Sequence, residues 1–118
     1  MKVYKIINIV DRKSIVVSAY DLTYPKNKWV KPKVGKIFCF KKYIDASNFL
    51  SYLGSPTNYH CLTHYIMVAA EAKNVKRLER IAACSNDQGI KVFWENNGRE
   101  GTTAPEGTYT CSEIKCLQ

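Results

Sequence analysis

The chain has 118 residues, 46% of them hydrophobic and 24% charged, the size and mix of one folded domain that needs neither disulfides nor metal to hold a core together; a disordered arm is excluded. Its formal charge of +8 repels cations and draws in polyanions over a Debye length of about 10 Å, so nucleic acid, nucleotides and acidic protein surfaces are the partners it admits. No apolar run approaches the ~18 residues of a membrane span, and an odd count of five cysteines behind an N-terminus without signal-peptide features points to a reducing cytoplasm.

Val3 to Val10 is rich in β-branched and aromatic residues, and Asp11-Arg12-Lys13 separates it from a second run, Ser14 to Tyr20. The spacing predicts a β-hairpin. Alternation puts Val3, Lys5, Ile7 and Ile9 on one face and Tyr4, Ile6, Asn8 and Val10 on the other, so the first strand is apolar on both sides.

Tyr20 to Lys42 carries seven of the eighteen basic residues, with no acid between Asp21 and Asp45. Pro25 and Pro32 exclude a continuous central strand and favour an extended segment at a sheet edge. On an extended backbone Lys26 and Lys28 share a face, as do Lys31 and Lys33, with Trp29 and Val30 between the pairs. Gly35 permits a turn into a buried strand over Lys36 to Phe40. The ordinary reading of the stretch is charge outside and aromatics inside.

From Tyr43 to Leu53 the period becomes helical, with Ile44, Phe49, Leu50 and Leu53 near one face, and Gly54-Ser55-Pro56 ends the element. His64 to Ala72 reads as a strand. Val75 to Cys84 fits a helix or a strand, Ser85 to Gly89 a turn, Ile90 to Glu95 a short helix or strand, Asn96 to Pro105 a loop, and Thr108 to Leu117 a last strand. The whole is a single α+β domain: a mixed, mainly antiparallel sheet with one or two helices on a face.

Few clusters suit catalysis. His60-Cys61-x-x-His64 offers three soft ligands where a structural zinc site takes four, so no metal is assigned. Cys111 and Cys116, five apart on one strand, point to opposite faces and cannot pair without a bulge. The acids show no paired-carboxylate spacing, and neither common phosphate-binding glycine motif occurs. No catalytic residue and no cofactor are assigned. Gly98 to Thr103 is a loop able to clasp a phosphate through backbone N–H groups and Arg99. Lys76, Arg77 and Arg80, together with Lys73, would share one face of a helix.

The anion-binding set is therefore Lys26, Lys28, Lys31, Lys33, Lys36, Lys76, Arg77, Arg80 and Arg99, with Tyr24 and Trp29 as stacking partners; lysines interleaved with aromatics suit nucleotides or single-stranded nucleic acid.

Lys28-Trp29-Val30-Lys31-Pro32-Lys33-Val34-Gly35-Lys36 running into Ile37 to Phe40, then Asp45-Ala46 and Phe49, then Ala104-Pro105-Glu106-Gly107-Thr108 before Cys111 to Leu117, resemble a loose group of small, mostly uncharacterised bacteriophage proteins. The pattern spans about half the chain and brings no catalytic residues. The resemblance implies a viral accessory protein in a bacterial cytoplasm that binds and blocks a host defence protein or its nucleotide signal. Two other readings compete: a small nucleotide-processing enzyme using His60 or His64 with Glu106 or Glu113, and an interaction protein that forms a homo-oligomer through an edge strand.

Overall fold

Strand β1 (Lys2–Asn8) lies between two others, pairing antiparallel with β3 (Ile37–Phe40) at Tyr4↔Phe40 and along its full length with β4 (Tyr65–Lys73). Lys13 bridges Thr23, and the second arm of the expected hairpin, beyond Ser14, lies outside the described residues. A strand apolar on both faces needs cover on both, which distant strands and a helix supply and a lone hairpin cannot. The structure, a computed structural model, describes residues 1–14, 22–53, 65–81, 87–96 and 101–118.

The remaining strands are β2 (Trp29–Val30), β5 (Lys76–Arg77), β6 (Arg80–Ile81), β7 (Thr102–Thr103), β8 (Thr108–Cys111) and β9 (Glu113–Cys116). Helix α1 spans Tyr43–Leu53 and helix α2 Asp87–Glu95. Among the described residues the main sheet has the order β2-β9-β4-β1-β3-β8-β5, and every pairing is antiparallel; β6 and β7 form a separate ribbon. The chain is one α+β domain.

The sheet closes on itself. β8 and β9 are separated by Ser112 alone, and the register of β4 on β9 continues unbroken into that of β5 on β8. Two long bent strands thus run side by side, and with β1 and the β2–β3 segment they complete a small barrel. The bend has a visible cause: Asn74 adopts a left-handed conformation (φ 54°) and donates from Nδ2 to Ser112 Oγ at 2.8 Å, while the Ser112 amide donates to Lys73 O at 2.9 Å. Asparagine tolerates that backbone region better than most residues.

Both strands change face at this corner. Ala70, Ala72 and then Val75 on one, and Cys116, Ile114 and then Cys111 on the other, contribute to the same interior cluster. Cys111 and Cys116 therefore share the interior, against the expectation of opposite faces, because the corner breaks the two-residue alternation between them. Val3, Ile7, Tyr24, Ile37 and Cys39 complete this core.

The outer faces of β1, β3 and β4 carry a second core under α1, with Ile6 and Phe40 against Ala46 and Leu53. Asp45 in the first turn of α1 complements the helix dipole. Residues 75–81 give two short strands and no helix, whereas 87–95 is helical. Helix α2 lays Phe93 and Trp94 on Phe38, with ring centroids 6.4 and 5.6 Å apart.

Candidate anion-binding surface

Lys26, Lys28, Lys31, Lys33 and Lys36 are all exposed. Lys26 and Lys28 do not share a face as an extended backbone would have them: Asn27 between them turns the chain through a left-handed conformation (φ 62°) and anchors it by donating to Cys116 O at 2.7 Å. Strand pairing is confined to Trp29 and Val30, opposite Lys115 and Ile114. Among the described residues, Lys26, Lys28, Lys33 and Lys36 have no carboxylate within ion-pair distance; Lys31 meets Glu113 at 3.9 Å.

The two aromatic residues assigned to stacking part ways. Tyr24 is 2% exposed, part of the barrel core, with Lys5 Nζ 5.2 Å from its ring centroid. It is unavailable to a ligand, because the segment after the first turn folds back so that Arg12 Nε donates to Tyr24 O at 2.7 Å. Trp29 does lie outside, 42% exposed, on a strand that ends the sheet. Its ring already has company: Lys73 Nζ lies 4.3 Å and Lys115 Nζ 5.2 Å from the centroid. Such contacts are worth about 0.5–1 kcal/mol at exposed sites.

Glu113 holds this group together. Its carboxylate lies 3.4 Å from Lys73 Nζ and 3.9 Å from Lys31 Nζ, so β2 with the residue that follows it, β9 and β4 contribute an indole, three ammonium groups and one carboxylate to one patch. Lys115 and Glu113 were not part of the expected set. Their two-residue spacing on the last strand was the available signal, since it puts both on one face.

The second basic cluster divides. Lys73 reaches Trp29, but Lys76 and Arg77 pair with Thr110 and Tyr109 on β8, across the β8–β9 strand from β2. As neighbours in a strand they point to opposite faces, so the helical face expected of Lys76, Arg77 and Arg80 does not exist. Arg80 sits on the β6–β7 ribbon and donates to Gly101 O at 3.1 Å. Arg77 and Arg80 line an open cavity of about 510 Å³ together with Glu79 and Glu106, so its charges are of both signs. Arg99, His60, Cys61 and His64 lie outside the described residues.

Inside the barrel lies a polar group, on the face that alternation gives it beside Val3 and Ile7. Lys5, 9% exposed, donates from Nζ to Phe38 O at 2.7 Å. Cys39 and Cys111, both buried, interact through their thiols: Cys39 is held far above its ordinary value by its hydrogen bond to Cys111 and by burial, while that same bond, with help from Lys5 and Lys36, lowers Cys111 against the effect of burial. Burial raises Cys116. No three His, Cys, Asp or Glu side chains among the described residues are placed to hold a metal ion. Nor is any described helix long and apolar enough to cross a membrane.

Compared with known proteins, the chain matches no family model, no curated protein and no solved structure.

Proposed function

We propose that this chain is a non-catalytic binding protein that holds an anionic partner on the lysine-bearing outer surface of its barrel. The observation that carries the reading is that Lys26, Lys28, Lys33 and Lys36 stand exposed on one segment with no carboxylate neighbour among the described residues. Like charges held close together raise one another's energy, and a bound polyanion relieves that cost while releasing its own counterions. Nucleic acid, a nucleotide signal and an acidic protein surface all meet this requirement. The setting of a viral protein that blocks a bacterial defence rests on the resemblance of the Lys28 to Phe40 stretch and is part of the proposal.

Self-assembly through the β2 edge is the weaker alternative. Only Trp29 and Val30 offer strand backbone there, and Pro25, Pro32 and the surrounding lysines are devices that keep an edge from pairing.

The test is binding of a labelled single-stranded oligonucleotide across a salt series, with a cyclic dinucleotide as competitor. Each phosphate contact contributes roughly 0.7 to the slope of log affinity against log salt for a single strand. The variant with Lys26, Lys28, Lys33 and Lys36 all changed to Glu should lose binding at every salt concentration. Retained affinity in that variant would overturn the reading.

A further inference from the structure

Glu113 stands among cations that its neighbours could offer to a ligand. It draws Lys31 from beyond β2 and Lys73 from β4 towards β9, and Lys73 in turn lies over the Trp29 ring beside Lys115. The Glu113 side chain is 21% exposed, whereas those of Lys31 and Lys73 are 78% and 52% exposed. The carboxylate is therefore set into the barrel wall, and the ammonium groups converge on it from the solvent side. A fixed anion with two mobile cations around it has the arrangement of a phosphate site already occupied by a surrogate.

We propose that the Trp29, Lys31, Lys73, Lys115 and Glu113 patch is a phosphate-binding site in which Glu113 acts as an internal counterion that a phosphate of a nucleic acid strand replaces. The inference rests on the polyanion-binding reading above and deepens it by naming the site and the group recognised. Lys31 and Lys73 each have one exposed ammonium with three donors, so both can leave a carboxylate for a phosphate by rotation about side-chain bonds. Trp29 takes part as the platform that holds Lys73 and Lys115 in place, with its ring covered by ammonium groups. Recognition is of backbone phosphate, and base identity has little weight. A nucleic acid strand is the occupant because its phosphates recur at every nucleotide, so one strand can meet this patch and the exposed, carboxylate-free Lys26, Lys28, Lys33 and Lys36 together and release its condensed counterions in doing so.

The prediction is counterintuitive for a site residue: removing Glu113 strengthens binding. Glu113→Gln should raise affinity for a labelled 20-nucleotide oligothymidylate roughly three- to tenfold, the range expected when two exposed ion pairs no longer compete. The salt slope should steepen by about one. Glu95→Gln, which changes the net charge equally but lies on α2 beside Lys91, is the control and should gain less than twofold. In a chain carrying Lys31→Ala and Lys73→Ala, the gain from Glu113→Gln should vanish. Thermal melts accompany each variant, and the lysine pair tests the site by itself should Glu113→Gln fold poorly: loss of at least threefold in affinity is then expected.

Four results overturn the inference. Wild-type protein that fails to bind removes the polyanion reading and this site with it. Wild-type binding with Glu113→Gln equal to Glu95→Gln, or weaker than wild type, leaves that reading intact and removes the internal counterion. A gain that persists without Lys31 and Lys73 places the effect elsewhere. Displacement of the oligonucleotide by poly-glutamate at equal charge concentration replaces phosphate with an acidic protein as the partner.

Discussion

Gly35 shows how one position ties the lysine segment to the rest of the fold. Its backbone lies in the left-handed region (φ 61°), and a Cβ there would collide with the indole ring of Trp94. Gly35→Ala should therefore cost about 2 kcal/mol or more, through both backbone strain and displacement of the indole. Urea denaturation measures it; an unchanged midpoint would mean that Trp94 does not pack on this turn. Cys116 makes a second prediction at this scale. Burial raises its thiol above the ordinary value of 9.0 in the folded chain, so as pH climbs past that value the unfolded chain releases the proton first. Stability from this group is full below about pH 9 and declines above it, by at most ~1.4 kcal/mol per pH unit. Cys39 acts in the same direction and Cys111 against it. Cys116→Ala should flatten the alkaline decline seen by denaturant titration; an identical slope would show that this thiol is not protected by burial.

At the scale of elements, α2 is the piece that closes the outer face of β3. Phe93 is 3% exposed and stacks on Phe38, while the Lys91 to Glu95 pair on its solvent side is exposed and worth little. Phe93→Ala should lose about 3–4 kcal/mol, the usual cost of emptying a large aromatic site. The same variant should release α2 to limited proteolysis. Equal stability would show that the helix is held by other contacts. Strand β2 behaves differently, since it is short, carries an exposed Trp29 and is flanked by prolines and lysines. Those features suppress strand pairing at this edge.

For the whole molecule, closure of the barrel sorts the residues into two environments. Apolar side chains and thiols fill the interior with Lys5 as an exception, and Lys26, Lys28, Lys31, Lys33 and Lys36 stand outside. A surface of this sign should bind polyanions rapidly at low salt and weakly at high salt. The two basic stretches stand on different sides of the β8–β9 strand and meet only through Lys73. A single-stranded ligand that spans both must follow the barrel surface around that strand.

Local chemistry was enough to reveal the α+β class, the helix at Tyr43–Leu53, the strands at Ile37–Phe40 and Tyr65–Lys73, and the exposure of the lysines, because each follows from periodicity or charge within a few residues. The partners of β1, the burial of Tyr24, the shared interior of Cys111 and Cys116, and the convergence of Lys73, Lys115 and Glu113 on Trp29 were not legible. Each depends on contacts between segments far apart in the chain: β1 pairs with strands that begin more than 28 residues after it ends, and the corner at Asn74 and Ser112 reverses an alternation that a lone strand would keep. Periodicity tells which side chains share a face, but only long-range pairing and closure set which face turns inward and which charges meet outside.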